Sequence, residues 1–398
     1  MPPLHHVVVK PQRLRPFLAR HPWVHRASLV QADLPLPVGA PIDLTAPDGS
    51  WIARGLYNPH GNLRVRLYTW DRQEALDEAF FVRRLDEALA RRRRLPEFAA
   101  ADAALRLVYS EADGVSGLIV DRYADALVVQ ATSAVIEPWL PALFDALQSR
   151  LAPRAIVLRT DPKLQRAENF ALPGGLVRGS LDPAVPVRYR QNDLLWEVDL
   201  VHGQKTGAYL DQRENHAAAA RYAAGRRVLD VCCHSGGFAL VAARRGAREV
   251  LGVDSSAHAL ELARRHARDQ QIEGVEFRCE DCFDGLRRRA QAGEQYEMVI
   301  LDPPRLAGAR DQVETALRAY FRLNRSAVDL LPRGGILVTC SCSGRVLRQD
   351  FLDMLAEVGR HARRDIVVLE QRGAPADHPL RVSCPESDYL KCLICEVL

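Results

Sequence analysis

Cysteines and aspartates at a few spacings carry most of the chemistry this chain offers. One apolar segment ends in Thr339-Cys340-Ser341-Cys342-Ser343-Gly344, and another ends in Leu301-Asp302-Pro303-Pro304-Arg305. A thiolate can add to carbon 6 of a pyrimidine and make carbon 5 electron-rich enough to take a methyl group, which ring carbons otherwise do poorly. By strand periodicity Cys340 and Cys342 share a face; Cys342 is expected at the exit beside Asp302, and Cys340 inside. The plain alternative is a pair of buried strand cysteines. Two prolines cannot continue a ladder, so they stiffen the loop on which Asp302, with Pro303, Pro304 and Arg305, can meet a planar base edge. Arg305 stands where methyltransferases acting on amino groups usually carry a stacking aromatic, which speaks against methylation of an exocyclic nitrogen.

Four successive predicted strand ends carry an acid: Asp230, Asp254, Asp281 and Asp302. The first leads into the small-residue turn Cys232-Cys233-His234-Ser235-Gly236-Gly237 that opens a helix, where a ligand can approach main-chain amides at a positive helix end. Asp254, followed by Ser255, can accept both hydroxyls of a ribose; Asp281, followed by Cys282, can face an adenine edge. G-x-G-x-x-G is absent, so a nucleoside without pyrophosphate fits better than a nicotinamide dinucleotide. Each acid alone is as well explained as a helix N-cap. Together they point to S-adenosylmethionine, whose sulfonium methyl needs mainly an oriented nucleophile. The polar run Gly203 to Arg213 precedes the first of these strands and brings Lys205, Tyr209 and Arg213 toward substrate or cofactor; a hairpin with a helix cap is the structural alternative. Zinc is weighed for Cys279-x-x-Cys282 and Cys392-x-x-Cys395, but strand alternation points each pair of sulfurs apart, so no metal is expected.

The elements that must position these residues read as three domains. Residues 1–73 alternate with period two around the Asp48-Gly49 turn, a compact β-barrel with Arg64 and Arg66 on its outer, solvated face. Residues 74–186 form a small α/β domain, strand-strand-helix-strand-strand. It opens with a helix from Ala75 to Leu95 whose Arg91-Arg92-Arg93-Arg94 end suits either the macrodipole or RNA. Residues 187–398 alternate strands and helices, the pattern of a doubly wound, mostly parallel sheet, closed by an antiparallel hairpin from Ile366 to Glu370 and Leu390 to Val397. The fold class is therefore α/β with an added β-barrel.

Composition agrees with a folded chain. There are 398 residues, 47% hydrophobic and 26% charged, with 54 Lys+Arg against 50 Asp+Glu and a net charge of +4. Disorder and coiled coil are excluded, and mild basicity permits a polyanionic partner. No apolar run approaches the roughly 18 residues of a membrane span, and the N-terminus lacks the apolar stretch of a signal peptide. A cytoplasmic protein with its nine cysteines reduced is expected.

In combination, Gly203 to Arg213, Asp302-Pro303-Pro304, Ser341-Cys342-Ser343-Gly344 and the tail Ala376-Asp377-His378-Pro379, Pro385-Glu386 and Tyr389-Leu390-Lys391 resemble the bacterial large-subunit rRNA cytosine-5 methyltransferase I family. His21-Pro22-Trp23-Val24, Ser110 to Gly114 and Gly117 to Tyr123 extend the resemblance over essentially the whole chain. It implies a PUA barrel for RNA, a central α/β domain and a class I (Rossmann-like) methyltransferase domain. It also implies Cys342 as nucleophile, Asp302 on the cytosine, and Asp230, Asp254 and Asp281 on S-adenosylmethionine. The partner would be large-subunit rRNA, with no membrane; a homodimer is left open. Arg305 stands where the family usually has Lys, the 232–235 turn departs from its usual aromatic and Thr, and the base that removes the carbon-5 proton is unassigned. The competing readings are a methyltransferase acting on a purine nitrogen and an RNA-binding assembly factor without turnover.

Overall fold

In a computed structural model, residues 4–182, 185–201, 206–308 and 310–398 are described. They divide into two compact units, one of Met1–Tyr189 with Val198–Leu210 and Ala376–Ser387, the other of Arg190–Glu197, Asp211–Pro375 and Asp388–Leu398. Among the described residues, no helix is long and apolar enough to cross a membrane.

The first unit begins with a five-stranded sheet in the order His5–Val8, Ala40–Thr45, Trp51–Tyr57, Leu63–Thr69, Trp23–His25. Register shifts at Val24/His25, Leu44/Thr45 and Arg54/Gly55 bend its strands. Gly55 is required there, because a Cβ would lie 2.5 Å from the Arg66 carbonyl oxygen. Val7, Val24, Ile42, Leu44, Val65 and Leu67 fill the core.

Arg64 and Arg66 differ from the solvated face expected of them. Both are buried, 5% and 9% exposed, and a second layer supplies the partners of Arg66. Arg66 reaches Ser133 Oγ at 2.8 Å, Glu111 at 3.1 Å, Ser116 Oγ at 3.2 Å and Glu168 at 3.1 Å, while Arg64 pairs with Asp33 at 2.8 Å.

That second layer is a five-stranded sheet in the order Gly175–Gly179, Ala155–Arg159, Ala126–Ala131, Leu118–Tyr123, Ala104–Tyr109. Three strands precede its helix Leu140–Leu151 and two follow, where two and two are expected, and the last, Gly175–Gly179, starts in what reads as Pro/Gly punctuation. The preceding helix spans Glu78–Arg92 and buries Phe80, Phe81, Leu85 and Leu89. Asp77 caps it by accepting from the Phe80 N–H. Its basic end is internal: Arg92, 1% exposed, donates to both oxygens of Asp113 at 2.6 and 2.7 Å.

The second unit is a seven-stranded sheet whose strands we number β1 (Arg227–Val231), β2 (Glu249–Asp254), β3 (Val275–Cys279), β4 (Met298–Leu301), β5 (Gly335–Ser341), β6 (Ile366–Arg372) and β7 (Lys391–Val397). Their order is β3-β2-β1-β4-β5-β7-β6, with β7 antiparallel to both neighbours and the rest parallel. Burial on both faces explains the near-continuous apolar runs of β4 and β5. Strand order reverses between β1 and β4, and the carboxyl ends flanking such a reversal form a ligand crevice.

Candidate active site

The loop leaving β1 is built for a tight approach. Cys232 and His234 adopt φ of +62° and +49°, and Gly236 adopts +86° as N-cap of the helix Gly237–Arg244. A Cβ on Gly237 would lie 2.5 Å from Cε1 of His216, so the helix can start there only without a side chain. His216 is buried edge-on to Phe238, and burial lowers its pKa to about 4. The loop is fastened to β2 by Asp254, which accepts the N–H of His234 and that of Ser256, each at 2.8 Å. Ser235 is half-buried and Ser255 exposed.

Asp230 is fully buried. Its Oδ2 accepts the Ala239 N–H at 2.9 Å, whereas Oδ1 has no hydrogen-bond partner among the described residues. Burial, with the charges of Asp302 and Asp254 nearby, holds its pKa well above the usual carboxylate range. Three carboxylates converging on one orphaned oxygen make a site for a cationic ligand with N–H or O–H donors. S-adenosylmethionine, with its sulfonium, ammonium and ribose hydroxyls, fits that description.

Asp281 is exposed and caps the helix Cys282–Gln291 through the N–H groups of Phe283 and Asp284. Its neighbour Cys282 takes a hydrogen bond from Cys232, which keeps Cys232 protonated and lowers the Cys282 pKa.

After β4, Asp302 Oδ1 accepts from Gln212 Nε2 at 2.9 Å, and Gln212 Oε1 in turn accepts from Asn215 at 2.6 Å. Pro303 is buried, while Pro304 and Arg305 are exposed. The Cys342 thiol is half-buried one residue beyond β5, with Sγ 4.0 Å from the Pro303 carbonyl oxygen. Ser343 ties the two loops together: its Oγ accepts the N–H groups of Leu306 and Ala307 at 3.1 Å each and lies 3.1 Å from the Tyr320 hydroxyl. Cys340 is buried opposite Cys392 of β7.

The structure thus gathers Asp230, Asp254, Asp302, Cys282 and the 232–237 turn at one end of the sheet, with Cys342 beside the Asp302 loop. Arg213 is buried as the first residue of the helix Arg213–Ala220, its guanidinium 3.9 Å from Glu214. Tyr209 is half-buried in the first unit, and Lys205 lies outside the described residues. Sequence reasoning missed Gln212, which sits inside a run it did single out. It also missed the burial of Lys391, known to it only as part of a tail motif; neither residue type announces its role without the fold.

A further group of ligand-type side chains occurs in the first unit, where His21, Cys384 and Glu386 bring ligand atoms within 4.8 Å of one another. The Trp23 N–H donates to His21 Nδ1 at 3.2 Å, so the neutral ring carries its proton on Nε2 and donates it to Glu386 at 3.1 Å. That arrangement is satisfied as a hydrogen-bonded cluster.

The family profile of S-adenosylmethionine-dependent methyltransferases matches residues 180–389, and that of PUA-like domains matches residues 7–70. Fold and site therefore define an S-adenosylmethionine-dependent methyltransferase with an N-terminal PUA-like barrel. Proteins named ribosomal RNA large subunit methyltransferase I from Shigella dysenteriae and Escherichia coli are each 37% identical over 395 residues, covering 98% of this chain and 98% and 99% of theirs. The one from Shewanella denitrificans is 37% identical over 394 residues, covering 98% and 99%. The chain belongs to this ribosomal RNA large subunit methyltransferase I family. Among solved structures, a protein described as a methyltransferase and complexed with SAH superposes with a TM-score of 0.86 at 17% identity, covering 99% of this chain and 100% of that one. A protein from Streptococcus mutans, described as SAM-dependent, gives 0.84 at 17% identity, with the same coverage.

Proposed function

We propose that the protein methylates carbon 5 of a cytosine in large-subunit ribosomal RNA through a covalent adduct at Cys342. One observation carries the reading: a half-buried thiol lies 4.0 Å from the carbonyl that follows Asp302, on loops pinned together by Ser343. Ring carbons of cytosine do not attack an electrophile unaided, and addition of a thiolate to carbon 6 moves the 5,6 double-bond electrons onto carbon 5. S-adenosylmethionine, when bound, supplies an electrophilic methyl group. After transfer, loss of the carbon-5 proton expels the Cys342 thiolate and restores the double bond. Asp302 accepts the cytosine amino group, with Pro303, Pro304 and Arg305 shaping the entrance and Lys205 assisting RNA contact.

On the cofactor side, the carboxylate of Asp230 takes donors at its orphaned oxygen, Asp254 with Ser255 takes the ribose, and Asp281 with Cys282 borders the adenine. The Ser235-Gly236-Gly237 turn lets the ligand approach main-chain amides, and Arg213 completes the wall. The named relatives support ribosomal RNA as the polymer, and hence a cytoplasmic setting. We divide the chain into a barrel at 1–73 that positions RNA, a spacer layer at 74–186 and the catalytic domain at 187–398. A base must be unstacked to reach such a pocket, so free rRNA or an open assembly intermediate is the substrate.

The test is Cys342→Ser. Methyl transfer to rRNA should be abolished while calorimetric binding of S-adenosylmethionine stays within about threefold; retained transfer would exclude the covalent route. Digestion of labelled product should give 5-methylcytidine, and a methylated purine nucleoside would overturn the choice of base.

A further inference from the structure

Lys391 opens β7 directly opposite Ser341, the last residue of β5, and it is 2% exposed. Its Nζ donates to the Ser343 carbonyl at 2.7 Å and to the Tyr389 carbonyl at 2.9 Å. The ammonium is therefore clamped onto the residue that follows Cys342. Among the described residues no carboxylate forms an ion pair with it. Two carbonyls need only neutral donors, and burying an ammonium carries a desolvation cost that such a role does not explain; the charges that offset it are Asp388 first, then Cys342 and Asp350. The ionisable group nearest along the clamped loop is the Cys342 thiol.

We propose that Lys391 is the positioning cation of Cys342, holding the sulfur as a thiolate and fixing the turn that carries it. The inference rests on Cys342 being the nucleophile. Burial lowers the Lys391 pKa to about 8, and Asp388, Cys342 and Asp350 oppose that fall while Arg348 adds to it. Across the site, Tyr320 of the helix Val313–Asp329 is pushed up to about 12 by burial, with Cys342 and Asp302 acting in the same direction, so its hydroxyl stays neutral. Lys391 is therefore a buried cation hydrogen-bonded to the residue that follows Cys342, and a proton lost from either group changes the other. Thiolate character, and with it reactivity, follows from such a cation.

The experiment is alkylation by iodoacetamide between pH 6 and 10, resolved by peptide mass spectrometry, on the full chain and on Lys391→Met and Lys391→Arg. The exposed Cys279 serves as internal control. In Lys391→Met the Cys342 midpoint should rise by about one pH unit, a roughly tenfold slower reaction at pH 7, with Cys279 unchanged. Lys391→Arg should restore most of the rate. An unchanged Cys342 profile in Lys391→Met would overturn the proposal. If that variant does not fold, the wild-type profile decides alone: a Cys342 midpoint at or above the ordinary thiol value of about 8.5 overturns it. Failure of the covalent reading is separate, since it shows as methyl transfer by Cys342→Ser whatever the alkylation result.

Discussion

Buried carboxylates are handled in opposite ways in the two units. In the first, Asp113 takes Arg92 through both oxygens, Asp121 takes Arg106 through both oxygens at 2.8 Å, and Glu168 takes Arg66 at 3.1 Å. In the second, Asp230 is equally buried but among the described residues receives one main-chain N–H and no guanidinium, with Asp302 and Asp254 adding negative charge. A buried charge that meets its partner inside the chain serves the shape of the chain. One left facing other acids is stable only as far as something outside supplies the missing donors.

The largest way to break this contrast is Arg92→Met, which takes from buried Asp113 the partner that grips both its oxygens, leaving it Arg91 and the Tyr109 N–H, and should lower unfolding free energy by about 3 kcal/mol. Denaturant titration of the full chain reads it, and a loss under about 1 kcal/mol would mean that the pair is not holding the fold. Asp230→Asn should do the reverse for stability while costing more than about tenfold in S-adenosylmethionine affinity, or roughly 1.4 kcal/mol. The sign follows from the raised folded-state pKa. Between the unfolded value of about 3.9 and the raised folded value, the native state binds the extra proton, so wild-type stability falls as pH rises through that window. The advantage of Asp230→Asn should grow across the same window and then level off. A melting temperature that drops at neutral pH would erase the distinction between the units.

A pH-dependent effect concerns a buried base. His216 is neutral when folded down to about pH 4, against about 6.5 unfolded, so it contributes stability above 6.5 that is lost as pH falls toward 4. His216→Leu should flatten that part of the melting-temperature profile, and an unchanged slope would show that this ring does not govern it.

Most of the parallel strands were legible because burial on both faces writes itself as short apolar runs, as in β1, β2, β4 and β5, whereas the edge strand β3 buries only Phe277. The helix Cys282–Gln291 was not, since only Gly285, Leu286 and Arg289 are buried and no stripe marks it. Alternating Arg64 and Arg66 read equally well as a wet face or as a face covered by a polar layer. What decides is Glu111 and Glu168, which lie 45 and 102 positions away from Arg66. At the site, Asp302 and Cys342 were visible because Pro-Pro and Ser-Cys-Ser are unusual strand exits. Gln212 and Lys391 were obscure because their surroundings exist only once Asp302 is placed beside the helix Arg213–Ala220 and β7 is inserted between β5 and β6.

Arg66 extends four hydrogen bonds from the N-terminal sheet into the layer that follows, to Ser133, Glu111, Ser116 and Glu168. Excised at residues 7–70, the barrel would carry this guanidinium across a freshly cut surface with every one of those acceptors amputated. It cannot be moved as a cassette onto another enzyme; the smallest transplantable piece includes the acids that Arg66 grips.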